Sequence, residues 1–151
     1  MKKFQFRLAT LERVRRNQEL ACMRLLAEAQ QKLIAGKEIK FKLVETLNQS
    51  LIRRENLGNE PIPSSVFKVE NDFIVGLKQR IIQADQAILR ATRAVEKSLR
   101  TFLQARRQTR TLEILREKEH AEFKKDLIKQ ENKKLDELYT TRFRLQQEEG
   151  L

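Results

Sequence analysis

Two clusters of arginine are the side chains in this sequence with the most obvious binding chemistry. They consist of Arg13, Arg15 and Arg16 near the start and of Arg106, Arg107 and Arg110 in the second half. A guanidinium group forms paired hydrogen bonds with carboxylates and phosphates. Arginines that lie close together without partners repel one another, and an acidic partner would relieve that repulsion. The alternative interpretation, a solvated helix face, remains open at this point.

Residues for catalysis or metal binding are scarce. His120 is the single histidine and Cys22 the single cysteine, so neither a Cys/His zinc cluster nor an internal disulfide is expected. We expect His120 to be solvated on a charged helix and Cys22 to act as a small buried apolar residue. The sequence has no glycine-rich phosphate loop. These features argue against an enzyme, a metal site and a bound cofactor.

The composition is typical of long helices. Charged residues make up 35% of the 151 residues, and there are only four glycines, two prolines and no tryptophan. No signal-peptide core and no apolar run of about 20 residues, as a membrane span requires, is evident. The net charge is +11, and the positive excess lies before residue 111. Such a surface predicts an acidic partner, which could be nucleic acid, anionic lipid or an acidic protein.

A single clear break, LGNEPIPSS (Leu57 to Ser65), divides the chain. Its two prolines cannot lie in a helix interior, so we expect one domain, 1–151, with helices at about 5–57 and 66–147 and a loop at 58–65. Gly58 is expected to end the first helix in the left-handed conformation. Ser64 or Ser65 should cap the second helix, although Asn71 and Asp72 form a rival start signal.

Apolar periodicity predicts an all-α fold in which the two helices form an antiparallel coiled-coil hairpin. In the second helix ten of twelve heptad positions are apolar or alanine. They are Ile74, Leu77, Ile81, Ala84, Ile88, Ala91, Val95, Ser98, Phe102, Ala105, Thr109 and Leu112. The first helix fits an eleven-residue spacing better, with nine of twelve positions apolar, which predicts weak and uneven supercoiling. Those positions are Leu11, Val14, Gln18, Cys22, Leu25, Ala29, Leu33, Gly36, Lys40, Val44, Leu47 and Leu51.

In such a hairpin, residues whose numbers sum to about 123 should face each other, given the position of the loop. This rule brings the two arginine clusters to one level. It also predicts that the longer second helix overhangs its partner beyond about residue 118. The overhang carries an apolar stripe of Phe123, Leu127, Leu135 and Leu138. The stripe is interpreted either as a partner-binding surface or as part of a charge-stabilised, frayed helix.

Several segments resemble the FliJ family of flagellar export proteins. They are FQFRLATLERVRRNQEL at the start, FIVGLKQRI after the proline loop, and LEILREKEHAEFKKDLIKQENKKLDEL. The F-x-F-x-L start with Leu11 and Arg15, and a late charged run, carry the likeness; that run contains Glu131, Lys133, Lys134, Asp136 and Glu137. The resemblance implies a non-enzymatic, stalk-like coiled coil of the type III export apparatus. It implies a cytoplasmic location, peripheral to the inner membrane at the flagellar base.

The resemblance also implies partners: the hexameric export ATPase FliI, its regulator FliH, the export gate protein FlhA and export chaperones. Phe73 and Leu77 match the family's gate-binding patch, and geometry extends this patch to Leu43 and Leu47. The assignment of the six clustered arginines to the ATPase is an electrostatic inference. Two alternatives are retained: a basic coiled-coil adaptor for nucleic acid or an anionic membrane, and the equivalent stalk of a virulence-type secretion system.

Overall fold

The computed structural model describes residues 2–150, and these form two α-helices and no strand. Helix α1 spans Ala9–Leu57 and helix α2 spans Ser64–Glu149, with 49 and 86 residues. The helices pack against each other as an antiparallel hairpin. The predicted all-α hairpin with a longer second helix is therefore confirmed.

Within the described residues, contacts cluster into two compact units, and each helix contributes to both. Unit 1 contains the chain up to Gln18 together with the chain from Arg106 onward. Unit 2 contains Glu19–Ala105, including the loop between the helices.

The loop between the helices is shorter than predicted, because α2 begins at Ser64. The carbonyl of Pro63 accepts a hydrogen bond from the amide of Val66 at 3.1 Å, and the rival start at Asn71 is not used. Gly58 does not adopt the left-handed conformation, since no described glycine has a positive φ. Its amide instead continues the helical hydrogen bonding to the carbonyl of Arg54 at 3.1 Å. Helix α1 thus ends through tight turns before Pro61, and not at a left-handed glycine cap.

The N-terminal segment before Ala9 is not helical, so α1 begins about four residues later than expected. Residues 2–8 alternate in burial, with Phe4, Phe6 and Leu8 half-buried and the residues between them exposed. A period of two is characteristic of extended chain. The F-x-F-x-L pattern therefore begins in extended chain at Phe4 and enters a turn before Ala9, whose amide donates a hydrogen bond to the carbonyl of Phe6 at 3.2 Å.

The predicted heptad of α2 is confirmed at every position. All twelve residues from Ile74 to Leu112 in that pattern are buried or half-buried. Ile74 and Thr109 are each 1% exposed and Leu77 is 3% exposed. These positions form the α2 side of the seam, the strip along which the two helices pack.

The eleven-residue pattern of α1 is wrong in its first half. Leu11, Val14 and Leu25 are 40%, 46% and 58% exposed, and Gln18 is also exposed. The buried and half-buried positions instead recur in steps of four and three residues, as in a left-handed coiled coil. The α1 side of the seam comprises Leu8, Glu12, Arg15, Glu19, Cys22, Leu26, Ala29, Leu33, Gly36, Lys40, Leu43, Leu47, Ser50, Arg54 and Leu57. Charged residues at these positions concealed the heptad.

Contacts between the helices confirm the facing rule in each unit. In unit 2 the numbers of paired residues add to 125 for Lys40 with Asp85 and to 123 for Arg53 with Glu70. In unit 1 they add to 123 for Arg15 with Gln108, and to 128 and 129 for the ion pairs of Glu12 with Arg116 and of Arg16 with Glu113, whose long side chains reach along the helices. The position of the proline loop therefore determines which residues of α1 and α2 meet.

Ile74→Ala should destabilise the protein far more than Ile39→Ala. Ile74 is 1% exposed in the seam, whereas Ile39 is 57% exposed. Truncating a buried isoleucine costs about 2–5 kcal/mol because it leaves a cavity. An exposed site typically changes the free energy of unfolding by no more than about 0.5 kcal/mol. Urea unfolding followed by circular dichroism would measure both values, and equal losses would contradict this seam.

Candidate functional site

The two arginine clusters meet at one level of unit 1, as the facing rule predicted. The Nη1 group of Arg15 on α1 donates hydrogen bonds to the side-chain oxygen of Gln108 on α2 at 2.8 Å and to that of Gln18 at 3.2 Å. Gln108 lies between members of the second cluster. The fold therefore gathers six arginines that are far apart in the sequence.

Much of this positive charge is already compensated within the chain, contrary to the expectation of unpaired arginines. Arg16 lies 2.7 Å from a carboxylate oxygen of Glu12 and 3.7 Å from one of Glu113. Arg110 lies 3.2 Å from Glu113 and 3.6 Å from Glu117. Arg16 and Arg110 therefore have acidic neighbours, and they are not available in full to a separate partner.

Glu12 is the centre of this network and was not among the residues singled out from the sequence. Its side chain is 6% exposed, and besides Arg16 it pairs with Arg116 of α2, whose Nη1 atom lies 3.3 Å away. A buried carboxylate is tolerated only when it is paired in this way. Extending the α2 heptad one step beyond Leu112 reaches Arg116, so the pattern contained a signal for this partner.

Arg13 and Arg107 differ from the other clustered arginines. Both are exposed, and neither side chain forms a hydrogen bond or ion pair with any other residue in the range 2–150. Arg106 is also exposed but is not without a partner. We call the surface formed by the six clustered arginines the arginine surface. The residues of this surface that can pair with an external carboxylate are therefore mainly Arg13 and Arg107.

The predicted gate-binding patch lies in unit 2, and only one of its residues offers substantial surface. Phe73 is 44% exposed, whereas Leu77 is 3% exposed in the seam. Leu43 and Leu47 are half-buried seam residues of α1. In any contact made by this patch, Phe73 must therefore supply most of the exposed surface. The three leucines support the packing of the helices beneath it.

The apolar stripe on the later part of α2 begins further along than expected, because the N-terminal segment covers its first member. The ring of Phe4 lies 5.6 Å from the ring of Phe123 and packs edge-on against His120 at 4.9 Å. His120 is accordingly half-buried and not fully solvated. The unpaired part of α2 thus does not start at residue 118.

We call the apolar residues of α2 beyond Leu127 the exposed stripe. Leu127 itself is half-buried. From Ile128 to Gly150 every residue is exposed. Leu135 and Leu138 are 52% and 63% exposed, and they line a shallow groove with Tyr139 and Arg142. The predicted overhang is therefore present, shortened at its start by the packing of Phe4.

Other kinds of site are not found in the part of the chain that the structure describes. No group of three or more His, Cys, Asp or Glu side chains there is arranged to hold a metal ion. Across residues 2–150, neither helix has a stretch apolar enough to cross a bilayer. The candidate binding surfaces predicted from the sequence are thus the arginine surface, the patch at Phe73 and the exposed stripe.

Comparison with known families identifies the family to which this chain belongs. A family model described as flagellar FliJ protein matches residues 4–148, which include both helices and the loop. The chain belongs to the FliJ family. Members of this family are non-catalytic components associated with flagellar protein export and flagellum assembly. No curated protein and no solved structure matches the chain.

Glu12→Ala should destabilise unit 1 much more than Glu117→Ala. Removing the buried Glu12 carboxylate leaves Arg16 and Arg116 without their shared partner, and such a loss costs about 1–3 kcal/mol. Glu117 is 61% exposed, and surface ion pairs contribute about 0–1 kcal/mol. Chemical denaturation of both variants would compare the costs, and an equal loss would show that Glu12 does not organise the network.

Proposed function

We propose that this chain is the stalk-like coiled coil of the flagellar type III export apparatus that binds the hexameric export ATPase FliI. In this role it also associates with the regulator FliH, contacts the export gate protein FlhA and helps to cycle export chaperones. It acts in the cytoplasm, peripheral to the inner membrane at the flagellar base. The observation that supports this proposal is the FliJ family match over residues 4–148.

The arginine surface is the proposed contact with the ATPase. Arg13 and Arg107 are exposed cations without internal partners, so each can pair with a carboxylate of an acidic ring. Arg15, Arg16 and Arg110 surround them and raise the local positive potential, although they are partly occupied by Glu113 and other side chains. Several weak charge contacts made together would strengthen binding to an acidic partner.

Phe73 is the proposed anchor for the gate protein. It is 44% exposed beside a buried leucine in unit 2, and an aromatic side chain on a rigid helix can contribute strongly to an interface. The exposed stripe of Leu135 and Leu138 is a further proposed contact for a helical partner within the apparatus. These surfaces are chemically different from the arginine surface, so their contributions can be separated by mutation.

Replacing Arg13 and Arg107 together by glutamate should weaken binding to the purified export ATPase by at least about tenfold. The free energy of unfolding should change little, since both side chains are exposed and unpaired. The matched control is Arg93→Glu with Arg100→Glu, the same charge change at exposed positions of unit 2. Binding of the parent protein should also weaken in 0.5 M salt, where the Debye length is roughly 4 Å.

Interferometry with the immobilised ATPase would measure these affinities. Unchanged affinity of the folded Arg13/Arg107 variant would reject this surface as the ATPase contact. If the parent bound duplex DNA or anionic vesicles tightly and ignored the ATPase, the adaptor function would replace the stalk function. If it bound only the ATPase of a virulence-type system, the stalk would belong to that system.

Phe73→Ala should weaken binding to the cytoplasmic part of the gate protein and leave ATPase binding unchanged. The reason is that this change removes apolar surface in unit 2 without altering charge. Leu25→Ala is the control, since Leu25 is 58% exposed on α1 and lies outside this patch. Calorimetric titration of each variant with the gate fragment would decide, and equal effects of the two changes would contradict a specific role for Phe73.

A further inference from the structure

An exposed apolar flank runs along unit 2, and the functions proposed above leave it unused. Three of its rows pair an apolar residue of α1 with one of α2 whose numbers sum to 123: Leu20 with Leu103, Ile34 with Leu89, and Phe41 with Ile82. Ala27 and Glu96 form the row between the first two. The six side chains of the three apolar rows are between 43% and 70% exposed. Contiguous apolar surface of this kind on a soluble chain marks an interaction site.

The six residues lie on the same side of the seam. Ile34 directly follows the seam residue Leu33, and Leu89 directly follows the seam residue Ile88. The other four residues occupy the same place in the heptad. Equivalent heptad positions of two antiparallel helices flank their seam on the same side. Both helices therefore contribute to one continuous surface.

The apolar flank is electrically neutral, unlike the opposite side of the same unit. At the heptad position of these six residues and at the position three residues further on, the charged residues of unit 2 are Lys37, Glu55, Lys68, Lys78, Asp85 and Glu96, three of each sign. Asp85 is also held by Lys40, whose Nζ atom lies 2.6 Å away. On the opposite side six exposed cations accompany one carboxylate: Lys32, Lys42, Arg53, Arg80, Arg90 and Lys97, with Glu28.

We propose that the apolar flank is the surface through which two copies of this chain associate. A chain with a net charge of +11 repels its own copies over most of its surface. The neutral flank is where two copies can approach without that repulsion and bury apolar side chains. An acidic partner would be attracted to the opposite, basic side, because the flank has no excess of cations for it to pair with.

The charges on the flank also select the orientation of the two copies. If the two-fold axis runs along the helices, α1 of one copy packs on α2 of the other at the same level. Phe41 then faces Ile82 of the other copy, and Lys37 faces Asp85. If the two copies instead run in opposite directions, centred on the same rows, Lys37 lies near Lys37 of the other copy and Asp85 near Asp85 of the other copy. Like charges directly opposite each other are unfavourable, so the first arrangement is preferred.

Sedimentation equilibrium tests the association directly. At about 300 µM the parent should be substantially dimeric and at about 1 µM largely monomeric, as mass action requires. Phe41→Glu with Ile82→Glu should weaken the dimer at least tenfold, because the carboxylates would be buried in the interface. Leu25→Glu with Ile39→Glu, at comparably exposed apolar residues on the other side, should leave it intact. High salt should not dissociate the parent dimer, since its contacts are apolar.

A parent that stays monomeric at the higher concentration overturns the proposal, as does equal weakening by both double variants at unchanged helix content. Cross-linking tests the orientation in a Cys22→Ser background. A short bismaleimide should join a Phe41→Cys copy to an Ile82→Cys copy more efficiently than two Phe41→Cys copies. The opposite preference would overturn the parallel arrangement. Loss of the dimer in the Phe41/Ile82 variant with unchanged ATPase binding would separate this surface from the arginine surface.

Discussion

Side-chain packing along the seam between α1 and α2 is the interaction on which the rest of the structure depends. Its character changes between the two units. In unit 2 the buried side chains are apolar except for that of Ser50, and they include Leu26, Ile74 and Leu77. In unit 1 they are Glu12 and Thr109, so that packing there relies on ion pairs and hydrogen bonds with defined geometry. Apolar burial supplies stability with little directionality, whereas paired buried charges tolerate few alternative alignments. The ionic network around Glu12 therefore restricts how the helices align within unit 1.

A pair of helices buries one strip of each and leaves the remaining faces exposed, so a small chain can present several separate surfaces. In this family member those surfaces differ in chemistry: an arginine surface and an exposed stripe in unit 1, and a basic side, an apolar flank and Phe73 in unit 2. Chemical differences of this kind allow partners of a large assembly to be bound without competing for one site. The helices act mainly as a support that holds the surfaces at fixed levels.

The sequence was sufficient to predict the α2 heptad, the facing rule and the convergence of the arginines. The α2 seam is made of ordinary apolar and small residues, and the proline loop sets the register. The sequence was insufficient to predict the α1 heptad, because the charged residues Glu12, Glu19 and Lys40 occupy seam positions there. The Glu12–Arg16 pair could have been predicted from its i,i+4 spacing. The contacts of Arg16 with Glu113 and of Arg116 with Glu12 could not, because only the fold brings these residues together. The extended start at Phe4 could have been recognised from its period of two.

The hairpin topology has a consequence for the order in which the chain assembles. Paired residues next to the loop are close in sequence, with a separation of 17 for Arg54 and Asn71, whereas Arg15 and Gln108 are 93 residues apart. Closing a longer loop costs more entropy, and contacts between distant residues form more slowly. We therefore expect the helices to begin pairing beside the prolines, and the pairs further from the loop to form later. During synthesis on the ribosome Phe4 emerges long before Phe123. It therefore stays without this contact until Phe123 has been made.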